Sequence, residues 1–188
     1  MSSSYLERMN LLFRTALAAA VFLVVPLAQA DDGSIVLTTD KREILASLAP
    51  ISGPQVTSEG LDGKVVVVTF FASWCPPCHV EFEHLNALYE TYHDRGVEIV
   101  AVNVFELQGG FNDGGVRLQG FIEDFRPQFS LVEGDKAVRE AFGHVARIPT
   151  VFVFDRSGEP TLQFVHIRDA EKTNPTQEEV IAAIEAGL

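Results

Sequence analysis

The chain has 188 residues, 26 of them acidic and 14 basic, for a net charge of −12 with neutral histidines. That balance argues against nucleic acid and anionic membrane surfaces as partners and favours solubility. A chain of this length is one domain able to bury a real core, and nothing in it repeats or falls to low complexity.

The first thirty residues read as an export address rather than as fold. Arg8 and Arg14 outnumber Glu7, residues 16–27 are apolar, and Ala28-Gln29-Ala30 is a small-x-small cleavage signature. Cleavage before Asp31 would leave the remainder more acidic still. The alternative is an uncleaved membrane anchor, although the apolar stretch is shorter than the ~20 residues a spanning helix needs. Export suits two cysteines, because disulfide chemistry operates outside the cytoplasm. Next, residues 35–37 read as a short strand. Asp40, with Glu43 three residues later, caps a helix that Pro50 ends. Residues 51–62 form a loop or weak strand, and Gly63-Lys64 turns into the stretch on which the chain is organised.

Residues 65–71, β-branched and aromatic, read as a strand buried on both faces. It stops at Ala72 and Ser73, and Trp74 leads into Cys75-Pro76-Pro77-Cys78. Val80, Phe82, Leu85, Leu88, Tyr89 and Tyr92 then fall mostly at three- and four-residue steps, as on a helix with one buried side. Proline tolerates the first helical turn, so Pro76 and Pro77 fit a helix starting at the motif. Strand, exposed Cys-x-x-Cys, helix is the layout of a redox site. A helix N-terminus favours the thiolate over the thiol, which makes Cys75 the nucleophile. Cys78, about one turn on, resolves the mixed disulfide.

Three alternatives use the same residues. A static disulfide leaves the two prolines, the preceding strand and Trp74 unexplained. Cys75-Pro-Pro-Cys-His79 also matches covalent haem attachment, with His79 as one axial ligand. The second ligand would be His93, His144 or His166, because Met1 and Met9 leave with the signal. A zinc site is weaker, since no second ligand pair has metal spacing.

Gly96 closes the helix and residues 97–104 form a second buried strand, parallel to the first. Residues 106–115 hold four glycines without phosphate-loop spacing and read as a surface loop. Residues 116–126 look helical, with Leu118, Phe121, Ile122 and Phe125 on one face. A short strand over 129–132 follows, then a helix capped by Asp135 and running to residue 142. Arg147-Ile148-Pro149-Thr150 precedes the apolar residues 151–154, and a proline just before a strand is a candidate cis peptide. Turn chemistry at 155–158 returns an antiparallel strand over 161–167. Thr176 with Glu179 makes a capping box for a last helix with Val180, Ile181 and Ile184 on its buried stripe.

Trp-Cys-x-x-Cys after a valine-rich strand, Ile-Pro-Thr about seventy residues later, and a terminal hairpin and helix together resemble the thioredoxin fold. The added strand and helix, the export signal and Gly63-Lys64-Val65-Val66-Val67 resemble its TlpA/ResA-like extracytoplasmic disulfide reductases, including those of cytochrome c maturation. The resemblance covers roughly residues 61–188. It implies an α/β fold whose central mixed sheet carries helices on both faces. The domain plan is then a signal over 1–30, a divergent segment over 31–60, and a thioredoxin-like domain over 61–188 with its insert around 106–133.

The resemblance also implies roles. Cys75 attacks and Cys78 resolves. Pro149 is the cis-proline beside the dithiol, the backbone of Ile148 pairs with an extended client, and Trp74 lines the substrate face. Glu81, three residues after Cys78, matches an acid that tunes cysteine pKa values in some members; an ordinary first-turn helix acid is the plainer account. No cofactor and no metal are implied. Partners are protein disulfides or dithiols and a membrane electron donor, with the chain itself a monomer. Thr69 stands where thioredoxin has a buried acid, so proton transfer must use water, Glu81 or the partner. His79, where relatives often carry a basic residue, either tunes Cys78 or is solvated. Apocytochrome c or copper-site proteins are the expected clients. An oxidase with the same chemistry, and a client-binding module with an idle dithiol, are the competing readings.

Overall fold

The computed structural model describes residues 33–108 and 113–188. The expected signal at 1–30 and the middle of the glycine-rich loop lie outside the described residues.

The sheet grows from strand β2 (Val65–Phe71), all seven residues of which are buried. β-Branched and aromatic side chains that find apolar cover on both faces make the centre of a sheet, not an edge. Strand β3 (Val97–Asn103) lies parallel to β2, and β5 (Thr150–Phe154) lies antiparallel on its other side. Beyond β3 comes β4 (Ser130–Glu133), parallel, and then β1 (Ala49–Ser52), antiparallel. Strand β6 (Pro160–Val165) pairs antiparallel with β5 and forms the other edge, giving the order β1-β4-β3-β2-β5-β6. This is the mixed, thioredoxin-like sheet that the motifs lead one to expect.

Side-chain alternation along β2 divides the core in two. Val65, Val67 and Phe71 face helices α3 (Pro76–Tyr92), α4 (Val116–Phe125) and α6 (Gln177–Gly187). Val66, Val68 and Phe70 face α1 (Thr39–Ser47) and α5 (Lys136–Ala141) on the opposite side. Among the described residues the remaining α-helix, α2 (Ser58–Leu61), is a single turn capped by Thr57. Helix α6 opens on the expected capping box of Thr176 and Glu179.

Three local expectations are corrected. Residues 35–37 form no strand. Leu37 is buried, yet its N–H bonds only Gly158 O at 2.8 Å, and Ile35 N–H bonds the Gln163 side chain at 3.0 Å. Helix α1 is capped by Thr38 rather than Asp40, which sits in its first turn. Starting there places Arg42 on Leu37 O at 3.0 Å and on Asp62 at 3.2 Å. Pro50 lies in β1 and not at a helix end, since α1 stops at Ser47. As the outermost strand, β1 tolerates the missing donor. Gly53 follows at φ 81°, where a Cβ would collide with the Phe129 carbonyl, so the turn out of β1 requires glycine.

Candidate active site

Four chain segments meet at one end of the sheet. β2 and β3 finish there, β5 starts there, and β6 finishes there, as their parallel and antiparallel registers require. The loop leaving β2 delivers Cys75 as the N-cap of α3, with Pro76 and Pro77 filling the first two helical positions. Cys75 and Cys78 are joined as a disulfide with their Cα atoms 5.3 Å apart.

The pair is not exposed, as the motif's layout had suggested. Cys75 keeps only 3% of its surface and Cys78 none, because Phe82, Phe121 and the end of β2 pack around the helix start. Cys75 is thus the less buried of the two. The prolines change the electrostatics too. They supply no N–H, and the next donor, Cys78 N–H, already bonds Cys75 O at 3.0 Å. Such a helix start stabilises a thiolate less than one with free first-turn amides.

Glu81 follows Cys78 by three residues, on the same helix face. It is 5% exposed, and neither carboxylate oxygen has a hydrogen-bond partner. Burial pushes its pKa from the ordinary 4.5 up to about 8, with the Thr69 hydroxyl acting in the opposite direction. Thr69 lies on β2 and is itself fully buried without a hydrogen bond. A protonatable carboxyl therefore comes from the helix to the strand position that carries only a hydroxyl.

His79 is not a solvated side chain. Its Nε2 lies 2.6 Å from Ser73 O, and because a carbonyl only accepts, that nitrogen carries the proton. The ring packs edge-on against Phe121 at 5.0 Å and Phe125 at 5.3 Å. Ser73 is gripped on its other side by Glu106, whose carboxylate accepts from the Ser73 amide at 3.0 Å and from the Ser73 hydroxyl. Asn103 Nδ2 donates to the same carboxylate at 2.9 Å. Trp74, half-buried, donates its indole N–H to Phe105 O at 3.0 Å. Phe105 holds φ 62°, and the Arg139 guanidinium lies over its ring at 4.9 Å. Sequence reasoning missed Asn103, Phe105 and Glu106, thirty residues beyond the motif. The only signal was their place at the end of β3, on the same edge as the dithiol.

The Ile148–Pro149 peptide is cis, as the sequence suggests. Thr150 pairs with Phe70, so the proline sits beside the end of β2, where the dithiol loop begins. The backbone N–H and C=O of Ile148 have no partner among the described residues. The structure thus brings Trp74, Cys75, Cys78, Glu81, Ile148 and Pro149 to one end of the fold.

A cysteine pair capping a helix at the end of a central strand, with a cis-proline opposite, defines a thioredoxin-like dithiol–disulfide protein. Residues 44–181 match the redoxin family, and the chain belongs to it. The chain is 34% identical over 113 residues to the thiol-disulfide oxidoreductase ResA of Geobacillus thermodenitrificans, covering 60% of each protein. It is 31% identical to ResA of Bacillus subtilis, covering 60% of this chain and 59% of that one. The match thus spans about three fifths of the length of these relatives. A crystal structure from Chlorobium tepidum, described as a thiol:disulfide interchange protein DsbE, superposes with a TM-score of 0.53 at 28% identity. It covers 74% of this chain and 94% of that one.

Proposed function

We propose that the chain is an exported thiol–disulfide oxidoreductase that reduces disulfides in client proteins. In the reduced enzyme the Cys75 thiolate attacks one sulfur of a client disulfide and the other leaves as a thiolate. Cys78 then attacks Cys75, releasing the second client thiol and forming the enzyme disulfide. Two electrons pass to the client, and a dithiol donor at the membrane returns them. Glu81, protonated over much of the neutral range, is the group able to exchange a proton with Cys78 as it becomes a nucleophile.

The observation that carries the reductive direction is the helix start at Cys75. Stabilising the reduced form makes a pair oxidising, and here the prolines remove two thiolate-stabilising donors while a carboxyl is buried one turn away. The covalent haem reading loses support from the same geometry. Both sulfurs are buried, and the Nε2 of His79 is held by Ser73. Export, cytochrome c maturation or copper-site clients, and the monomeric state belong to this reading through the resemblance.

Equilibrating the protein against dithiothreitol or glutathione series tests the direction. The expected reduction potential lies at or below thioredoxin's value of about −270 mV, and one near about −120 mV would make the protein an oxidant. Cys75→Ser is expected to abolish exchange, and retained client turnover would return the molecule to a binding module.

A further inference from the structure

At the dithiol end of the sheet, the stretch from Phe142 to Arg147 and the end of β6 enclose a half-open cavity of about 210 Å³. Its wall is apolar. Phe142 and Val145 are buried, whereas Val165 and Ile167 stand 47% and 67% exposed. The ionisable side chains lining it are His144, Arg147 and His166, with no aspartate or glutamate. In a chain of 26 acidic and 14 basic residues, that local sign is opposite to the bulk.

The groups are placed rather than scattered. His166 donates its amide to Pro149 O at 3.3 Å, and its Nδ1 lies 3.1 Å from Thr173 O, so the cavity is tied to the cis-proline. Arg147 is exposed and precedes Ile148 directly. Arg42, Arg95 and Arg117 each face a carboxylate, but no ion pair or side-chain hydrogen bond engages the Arg147 guanidinium among the described residues.

We propose that this cavity is a client subsite taking an apolar side chain next to an acidic one, so that the preferred clients present such a segment beside their cysteine. The inference rests on disulfide exchange at Cys75 and names the client chemistry for that site. An extended polypeptide fits better than a small anion, because the cavity adjoins the unpaired backbone N–H and C=O of Ile148. A strand can satisfy that backbone while its side chains enter the cavity. Val165 and Ile167 then lose their exposure, and the Arg147 fork meets a carboxylate in the geometry it suits. The net charge of −12 opposes approach of an anionic segment. At physiological salt, exposed charges are screened beyond about 8 Å, so the guanidinium at contact decides docking.

The test compares exchange of the full chain with two disulfide peptides that differ only in Glu or Gln, beside an apolar residue near the cysteine. An exposed ion pair corresponds to a kcat/KM ratio of about two to five in favour of Glu. Arg147→Gln should bring the ratio to one, and Arg147→Lys should keep part of it. A wild-type ratio of one or less overturns the subsite. Competition by butyrate as effective as the Glu peptide would assign the cavity to small carboxylates and overturn the client reading as well. Hydroxyethyl disulfide separates the two levels. Exchange with it but no peptide preference defeats the subsite alone, whereas no exchange with any disulfide defeats the oxidoreductase reading beneath it.

Discussion

A buried carboxyl whose two oxygens lack hydrogen bonds costs stability whenever it ionises. Glu81 is in that position, with its pKa lifted from 4.5 to about 8 by burial. Between those values the folded protein keeps the proton and the unfolded chain gives it up. The native state is therefore penalised progressively as pH rises from 4.5 to 8, and not below. A single such group contributes a slope approaching about 1.4 kcal/mol per pH unit. Urea denaturation across that range should show wild-type stability falling with pH and Glu81→Gln falling less steeply, with the remainder including Glu98, whose pKa burial also raises. Parallel profiles would remove the ionisation from the account. The pH dependence of exchange should shift in the same variant if Glu81 serves Cys78. Its spacing from Cys78 was legible in the sequence, but its burial was not: the helix starts at Pro76, which puts Glu81 in the second turn rather than the first, on the face that meets the core. The Glu106 clamp on Ser73 was not legible either. It joins residues thirty-three apart, and only the parallel pairing of β2 with β3 brings them together.

At the scale of elements, α4 bears on the active site more than its surface loop suggests. Phe121 is 3% exposed and packs on Phe71 at 5.3 Å, Phe82 at 4.7 Å and His79 at 5.0 Å. The insert thereby covers the start of α3 and wedges the imidazole that holds Ser73. Phe121→Ala should cost about 3–5 kcal/mol by loss of burial and cavity formation. Phe121→Leu should recover most of that. Denaturant titration decides, and a loss below 1 kcal/mol in the alanine variant would mean that the insert is not part of this core. The helix and its apolar face were readable from the spacing of Leu118, Phe121, Ile122 and Phe125. Which element that face meets was not, because periodicity names a buried side without naming its neighbour. Likewise, Thr38 and Asp40 both have side chains able to cap α1, and the choice fell to the turn that lets Arg42 reach Leu37 and Asp62.

Over the whole molecule, the central strands were legible because continuous β-branched runs have few other uses. The edges were not, since β1 is four residues containing a proline and pairs with a strand more than seventy residues away. At the end of the fold opposite the dithiol, one side chain that no motif marked ties three segments together. Arg156, in the turn between β5 and β6, donates to Leu188 O at 3.1 Å, Gly63 O at 3.2 Å and Arg95 O at 3.0 Å. It joins the entry to β2, the turn before β3 and the end of the chain. A planar fork with fixed donor directions serves three separate carbonyls in a way that an ammonium cannot. Arg156→Ala and Arg156→Lys should therefore both destabilise, by about 1–3 kcal/mol for the alanine variant. In a chain of this size that lowers Tm by roughly 2–10 °C. The dithiol lies at the other end of the sheet, so the reduction potential should stay at the wild-type value. Calorimetry together with a redox titration separates the outcomes. A lysine variant as stable as wild type would show that charge alone suffices, and a shifted potential would show that the two ends of the sheet are coupled.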